Sequence, residues 1–336
     1  MISRLPHIRS RAIGFLIVVS AALMTSGCLV VSGPSGFFQE VEEREQIVVS
    51  GSGHHKILLI TVDGVISDQS SSSGFGLFVD ESMLSRIEGE LESAARDSQI
   101  TAVILRINSP GGGVTASDEI YARIQAFKRE QNIPVFASMG DMATSGGYYV
   151  ALAADRIYAS PTTVTGSIGV IMTGFTATEL LDKIGIENQT YTSGENKDLM
   201  SPWKEPTPEE RQIMQGVLDG MYGRFVSLVR ENRSDLKSEQ LETITDGRIF
   251  TAEQALNLGL VDEIGRLHDV IEAAKAAAHV HQAQVVVYRR NGIFNDNVYT
   301  QAAAQSPQTG WAAVAEQLVG PQSPRFMYLW LPGALP

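Results

Sequence analysis

Histidine is scarce where a catalytic protein would most often use it. The six are His7, His54, His55, His268, His279 and His281, and none falls between positions 56 and 267. A serine or cysteine nucleophile in that stretch would therefore lack a histidine base, so a Ser-His-Asp triad is not expected. Cysteine is rarer still. Cys28 is the only one, which excludes a disulfide framework and a cysteine-based zinc site. Positive charge is also in short supply. Lysine and arginine number 26 against 38 acidic residues, a formal charge of −12, and no basic run gathers what there is. A nucleic-acid partner, whose phosphates need a basic face, is not expected. Nothing in the sequence calls for a metal or a cofactor.

Among 336 residues, 43% are hydrophobic, enough for a large core. Arg4, Arg9 and Arg11 precede the apolar run "AIGFLIVVSAALM" (12–24), which is followed by "TSGC" (25–28). A basic start, an apolar stretch and small residues form an export signal. The small residues ending at Cys28 resemble a lipoprotein signal, in which that cysteine is lipidated. The same run through "CLVV" is also long enough to remain as a bilayer-spanning anchor. Both forms keep the arginines inside and export the remainder, so the expectation is a membrane-attached protein with its bulk outside the cytoplasm. Residues 1–28 are thus read as signal or anchor and 29–55 as a flexible tether. One domain is assigned to 56–290, and 291–336 is read as a weakly structured tail with an apolar end, "RFMYLWLPGALP".

From residue 56 apolar strand patterns alternate with amphipathic helical ones. Strands are expected at "KILLITVDGVI" (56–66), "ITAVILRI" (100–107), "IPVFASM" (133–139) and "RIYAS" (156–160), and a further one at "IENQTYTS" (186–193). Helices are expected at 82–97, 114–130, near 176–184, and at 207–233, 251–260 and 266–280, with a short Gly-Gly helix after "IPVFASM". Such alternation implies an α/β domain built from parallel βαβ units, with helices outside the sheet.

Two glycine-rich loops follow buried strands: "SPGGG" (109–113) and "ATSGG" (143–147). Glycine costs about 1 kcal/mol in a helix interior relative to alanine, so a pair of them marks a sharp turn or a close approach. Ligands on parallel sheets bind at the carboxyl ends of strands. Backbone N–H groups freed there can form an oxyanion hole, with Gly146 as one donor and the Ser145 hydroxyl in the same cavity. Equally, Ser145 would serve as an ordinary helix N-cap and "SPGGG" as a tight turn. If serine is the nucleophile, lysine is the remaining base, provided that burial lowers its pKa from about 10.4. Lys56, Lys128, Lys183, Lys197, Lys204 and Lys237 are the lysines of the core stretch. Lys197, in "YTSGENKDLMSPW" (191–203), lies in a turn, a position that also suits a surface lysine.

"NSPGG" (108–112), "SGGYY" (145–149), "TGSIGV" (165–170) and "SGENKDLMSP" (193–202) resemble, in order and spacing, the motifs of the S49 serine peptidases, the signal peptide peptidase family. The resemblance runs from about residue 56 to 290 and favours the short, single-domain form. It implies a ClpP/crotonase-like fold, with a repeated βαβ core and surrounding helices. It also implies a Ser-Lys dyad of Ser145 as nucleophile and Lys197 as general base, with Ser167 orienting the lysine. Gly146, and Gly111 or Gly112, would supply the oxyanion N–H groups. Peptide substrates, in particular remnant signal peptides, follow from it. A cyclic homo-oligomer is expected, in which Lys197 reaches Ser145 of a neighbour. A CoA-thioester enzyme of related fold and a non-catalytic scaffold are the readings from other classes.

Overall fold

The computed structural model describes residues 44–73, 78–289 and 326–330. The expected signal or anchor segment, with Cys28, lies outside them, as do 290–325 and 331–336. In chain order, β1 (Glu45–Gly51) and β2 (His55–Asp63) precede a short hairpin, β3 (Ser71–Ser73) and β4 (Phe78–Asp80). Helix α1 (Met83–Ala95) leads to β5 (Ile100–Ser109), β6 (Gly111–Gly113) and α2 (Val114–Gln131). Then come β7 (Val135–Thr144), α3 (Gly146–Ala151), β8 (Arg156–Ala159), β9 (Val164–Gly166) and α4 (Thr178–Ile184). The long helix α5 (Pro208–Asn232) and α6 (Ser238–Ile244) follow, with β10 (Ile249–Thr251), α7 (Ala252–Asn257) and β11 (Glu263–Ile264). Helix α8 (Leu267–Ala277), β12 (Ala283–Arg289) and β13 (Met327–Leu329) complete the described elements.

The main sheet runs β1-β12-β2-β5-β7-β8-β11, and every neighbouring pair is parallel except β1 with β12. Its central strands carry near-continuous apolar runs because both faces are covered. Alternate residues go to opposite faces. Leu58, Ile60, Val103, Leu105, Val135 and Ala137 join a core with α1, α2, α3 and α5. Ile57, Leu59, Ala102, Ile104 and Phe136 join a second core with Leu267, Val270, Ile271 and Ala274 of α8.

Two details place the site. Strand β7 outruns its partner β8: Phe136–Met139 pair with Arg156–Ala159, while Met142–Thr144 pair with Val164–Gly166 of β9. The sheet splits there, and the chain leaving β7 emerges beside β9. Strand β5 likewise ends in Ser109, after which β6 leaves the sheet and is held by Ile66 on one side, through Ile66 N–H to Gly111 O at 2.9 Å and Gly113 N–H to Ile66 O at 2.9 Å. Its other side pairs with β13.

Three segments differ from their sequence pattern. Glu45–Gly51, inside the stretch expected as tether, forms β1 because "EQIVV" finds an antiparallel partner in β12. Residues 186–193 form no strand and stay exposed, so their apolar residues bury no face against a sheet. Met327–Leu329, inside the expected weakly structured tail, is a strand with both edges paired, to Gly111–Gly113 and to Ile171. Thr207 behaves as its sequence suggests. Its hydroxyl accepts from Glu210 N–H at 3.1 Å while Glu210 accepts from Thr207 N–H at 2.8 Å, a reciprocal cap that starts α5.

Candidate active site

Ser145 stands between β7 and α3 at φ 53° and ψ −116°, a backbone region that a residue with a side chain seldom occupies. Two bonds hold it there. Ser145 N–H donates to Gly166 O at 2.7 Å, and Ser145 O accepts from Tyr149 N–H at 2.9 Å. The side chain does not cap the helix. Its Oγ is buried and has no hydrogen-bond partner, although a buried hydroxyl without one costs about 1–3 kcal/mol. The ordinary capping role is therefore not what this serine does. Strain and an unpaired, buried hydroxyl occur together at this residue.

The two glycine loops meet at the residue that follows Ser145. A β-carbon added to Gly146 would lie 3.1 Å from Gly111 Cα and 3.2 Å from Gly112 N, so these backbones are in contact. Gly111 has φ +100°, and a β-carbon there would sit 1.9 Å from Tyr328 O and 2.7 Å from Gly146 N. The Gly111 N–H is already occupied, donating to Ser109 Oγ at 3.0 Å, while Ser109 Oγ donates to Gly64 O at 2.6 Å. That leaves Gly112 and Gly146 as the donors of the pair of loops. Ser109, absent from the sequence-derived set, is the buried side chain that fixes the loop. "NSPGG" contains it, but nothing local distinguishes it from a turn serine.

Ser167 follows Gly166, the acceptor of the Ser145 N–H, and is itself buried with φ 52°; its N–H donates to Arg248 O at 2.7 Å. The structure thus brings Ser145, Gly146, Gly111, Gly112 and Ser167 together. Lys197 is not among them. It lies on an exposed turn, its N–H bonded to Gly194 O at 3.1 Å, and one chain makes no hydrogen bond between it and Ser145. Most other lysines of the core stretch are engaged. Lys56 pairs with Asp97, Lys128 with Asp155 and Lys183 with Glu179. Lys204 bonds Asp198 and Glu210, each at 2.5 Å, which raises its pKa and keeps it a cation. Lys197 forms no ion pair among the described residues.

The cleft already holds a peptide strand, the chain's own β13. Met327, Tyr328 and Leu329 lie opposite Gly113, Gly112 and Gly111. Trp330 N–H donates to Pro110 O at 2.9 Å and Val114 N–H to Phe326 O at 3.4 Å. Hydrogen-bonded pairs alternate along an antiparallel ladder, so Tyr328 and Gly112 form the bonded pair between them. The Tyr328 carbonyl is thereby turned to the Gly112 N–H, beside the point where Gly111 meets Gly146. Its side chain is fully buried between Tyr149 and Phe225. This mode, a strand added to a short exposed edge, is how peptides are commonly bound.

Residues 127–281 match Peptidase family S49, and residues 75–165 match Clp protease. A putative signal peptide peptidase SppA of Enterococcus faecium is 35% identical over 257 residues, 76% of this chain and 73% of that protein. The chain belongs to peptidase family S49. This S49 peptidase is also 37% identical to Protease 4 of Salmonella typhi over 60% of its own length and 32% of the relative's. To the chloroplastic serine protease SPPA of Arabidopsis thaliana it is 34% identical over 68% of its length and 33% of the relative's. It is a serine endopeptidase with a ClpP-like α/β fold, as the split, mostly parallel sheet and the Clp protease match together show.

Proposed function

We propose that Ser145 and Lys197 form the catalytic dyad, that the lysine comes from a neighbouring copy in a cyclic homo-oligomer, and that membrane-attached enzyme outside the cytoplasm cuts remnant signal peptides and similar apolar peptides. The observation that carries the reading is the buried, unpaired Ser145 hydroxyl on a turn whose next residue, Gly146, packs against the glycine edge on which β13 lies. A substrate strand on β6 presents its carbonyl as Tyr328 does. Ser145 Oγ attacks the carbonyl carbon as its proton passes to the neutral Lys197 amine. The oxyanion is held by Gly112 and Gly146 N–H. The C–N bond then breaks, the lysine proton goes to the leaving amine, and water, deprotonated by the same lysine, releases the acyl group.

Lys197 is exposed and makes no hydrogen bond to Ser145 of its own chain, which favours supply from a neighbour. Around it lie exposed apolar side chains: Phe175 is 64% and Tyr191 91% exposed, and Leu180, Ile184 and Trp203 are also open. So many large apolar groups on one segment suit a subunit contact. Burial in that contact would favour the neutral amine that the chemistry needs. A closed ring completes every site. Mapping a fluorophosphonate adduct by peptide mass spectrometry tests the nucleophile: modification at Ser145, abolished by Ser145→Ala, is expected. A modified serine elsewhere, or none in an enzyme that cleaves peptides, contradicts the assignment.

A further inference from the structure

One hydroxyl joins three pieces of backbone around Ser145. Ser109 is fully buried at the end of β5, and its hydroxyl is spent entirely on backbone. Its single proton goes to Gly64 O at 2.6 Å, in the turn after β2, and the same oxygen accepts Gly111 N–H at 3.0 Å. Gly64 is held a second time, its N–H donating to Asn108 O at 3.0 Å. The backbone of Ser109 faces the nucleophile. It pairs with Ala143 in the β5–β7 ladder, and a β-carbon on Gly147 would lie 2.8 Å from its carbonyl oxygen. The turn after β2, strand β6 and the start of α3 therefore take their spacing from this residue.

The bond to Gly111 also decides which N–H is free. Along an extended strand the N–H and C=O of one residue point to one edge and those of the next to the other. Gly111 O accepts from Ile66 N–H and Gly113 N–H donates to Ile66 O, so Gly111 and Gly113 share that edge. Gly112 N–H is left on the opposite edge, where β13 lies. Three glycines in succession have no side chain to stiffen them. Ile66 fixes the peptide unit after Gly111, and the Ser109 hydroxyl fixes the one before it. We infer that Ser109 is a positioning residue for the oxyanion: by holding Gly111 N–H it aims Gly112 N–H, with Gly146 N–H, at the transition state. It touches no reacting atom. The inference rests on the peptidase reading above, in which those two groups are the oxyanion donors. A hydroxyl that merely stabilised the fold would leave the balance between bound substrate and transition state unchanged.

The test compares full-length wild type, Ser109→Ala and Ser109→Cys, with folding checked by circular dichroism. In steady-state cleavage of a quenched fluorescent peptide, Ser109→Ala should lower kcat roughly 10- to 100-fold and leave KM within about twofold of wild type. Ser109→Cys, whose sulfur is a weak acceptor in the same place, should fall between the two. The second readout is carbon-13 NMR of a peptide aldehyde labelled at its carbonyl carbon. The Ser145 hydroxyl adds across the C=O bond to give a neutral hemiacetal, which loses its proton as pH rises. That titration should lie about one to two pH units higher in Ser109→Ala than in wild type, the same 10- to 100-fold, with Ser109→Cys again between. A folded Ser109→Ala with wild-type kcat and titration overturns the inference, as does a loss confined to KM. If Ser109→Ala does not fold, Ser109→Cys decides: a titration above wild type supports the inference, and one equal to it overturns it. Failure of wild-type Ser145 to form any hemiacetal contradicts the peptidase reading, and the inference falls with it.

Discussion

Tyr328→Ala should convert a largely occupied cleft into an open one. The wild-type ring is fully buried between Tyr149 and Phe225, and its hydroxyl is bonded to Met221 O. Full burial of a large apolar side chain contributes about 1.5–3 kcal/mol, and a hydrogen bond adds about 0.5–1.5 kcal/mol. The substitution removes most of both, so strand β13 should lose roughly 2–4 kcal/mol of its hold on β6, as an upper bound. Each 1.4 kcal/mol is a factor of ten in the docked-to-free ratio. At low substrate concentration a competing strand weakened by about 1.4 kcal/mol of that predicts kcat/KM for an added peptide higher by about tenfold. The backbone ladder to Gly111–Gly113 is unchanged in sequence, and Ser145 keeps its bonds to Gly166 and Tyr149. The melting temperature should accordingly move far less than for truncation of a central core residue. The assay is steady-state hydrolysis of a quenched fluorescent peptide by full-length wild-type and variant chains, with intact mass checked. Unchanged or lower kcat/KM in a folded variant would refute the argument that β13 blocks the substrate path.

Gly146→Ala would place a methyl group 2.6 Å from Ser117 Oγ and 3.1–3.2 Å from Gly111 Cα and Gly112 N. Because it pushes the two donors apart, steady-state kinetics should show kcat reduced by roughly 10- to 100-fold, approaching the loss of one oxyanion donor, with KM little changed. Asp97 is raised by burial, but bonds from Lys56, Gln99 N–H and Tyr288 outweigh this and leave its pKa below the ordinary 3.8. Its stabilisation is therefore present above 3.8 and lost as pH falls through the lower folded value. In chemical denaturation, Asp97→Asn should be less stable than wild type at pH 7 and converge on it in strong acid. Mass spectrometry of the membrane-extracted protein is expected to find a mature N-terminus at diacylglyceryl-modified Cys28; intact Met1 would replace the lipid by a spanning segment.

Much of this site could be read from short windows of sequence. "ATSGG" and "SPGGG" announce backbone under special constraint, and the structure shows why: Ser145 and Gly111 have positive φ, and Gly146 touches both Gly111 and Gly112. Thr207 and Glu210 mark a helix start because their reciprocal cap is local. What escaped was long-range. Glu45–Gly51 becomes a strand only because β12, far along the chain, lies alongside it. The apolar run around Tyr328 stands out as unsuited to free exposure, yet its partner β6 is three glycines with no side-chain pattern to advertise an edge. The Met221 carbonyl is backbone, and no residue type signals it. Lys197 is legible as a lysine in a recognised motif. Its path to a serine is not, because nothing local to 191–203 reports which surface that segment meets.

Complementation between two inactive variants bears most directly on the dyad and its assembly. Full chains carrying Ser145→Ala or Lys197→Ala are each expected to be folded and inactive. Mixed under conditions where labelled subunits exchange, they should regain part of the wild-type peptide hydrolysis, since some sites pair an intact Ser145 with an intact Lys197 from the adjacent chain. A mixture that exchanges subunits and remains inactive would contradict a dyad shared between chains, and full activity in Lys197→Ala alone would contradict the dyad itself.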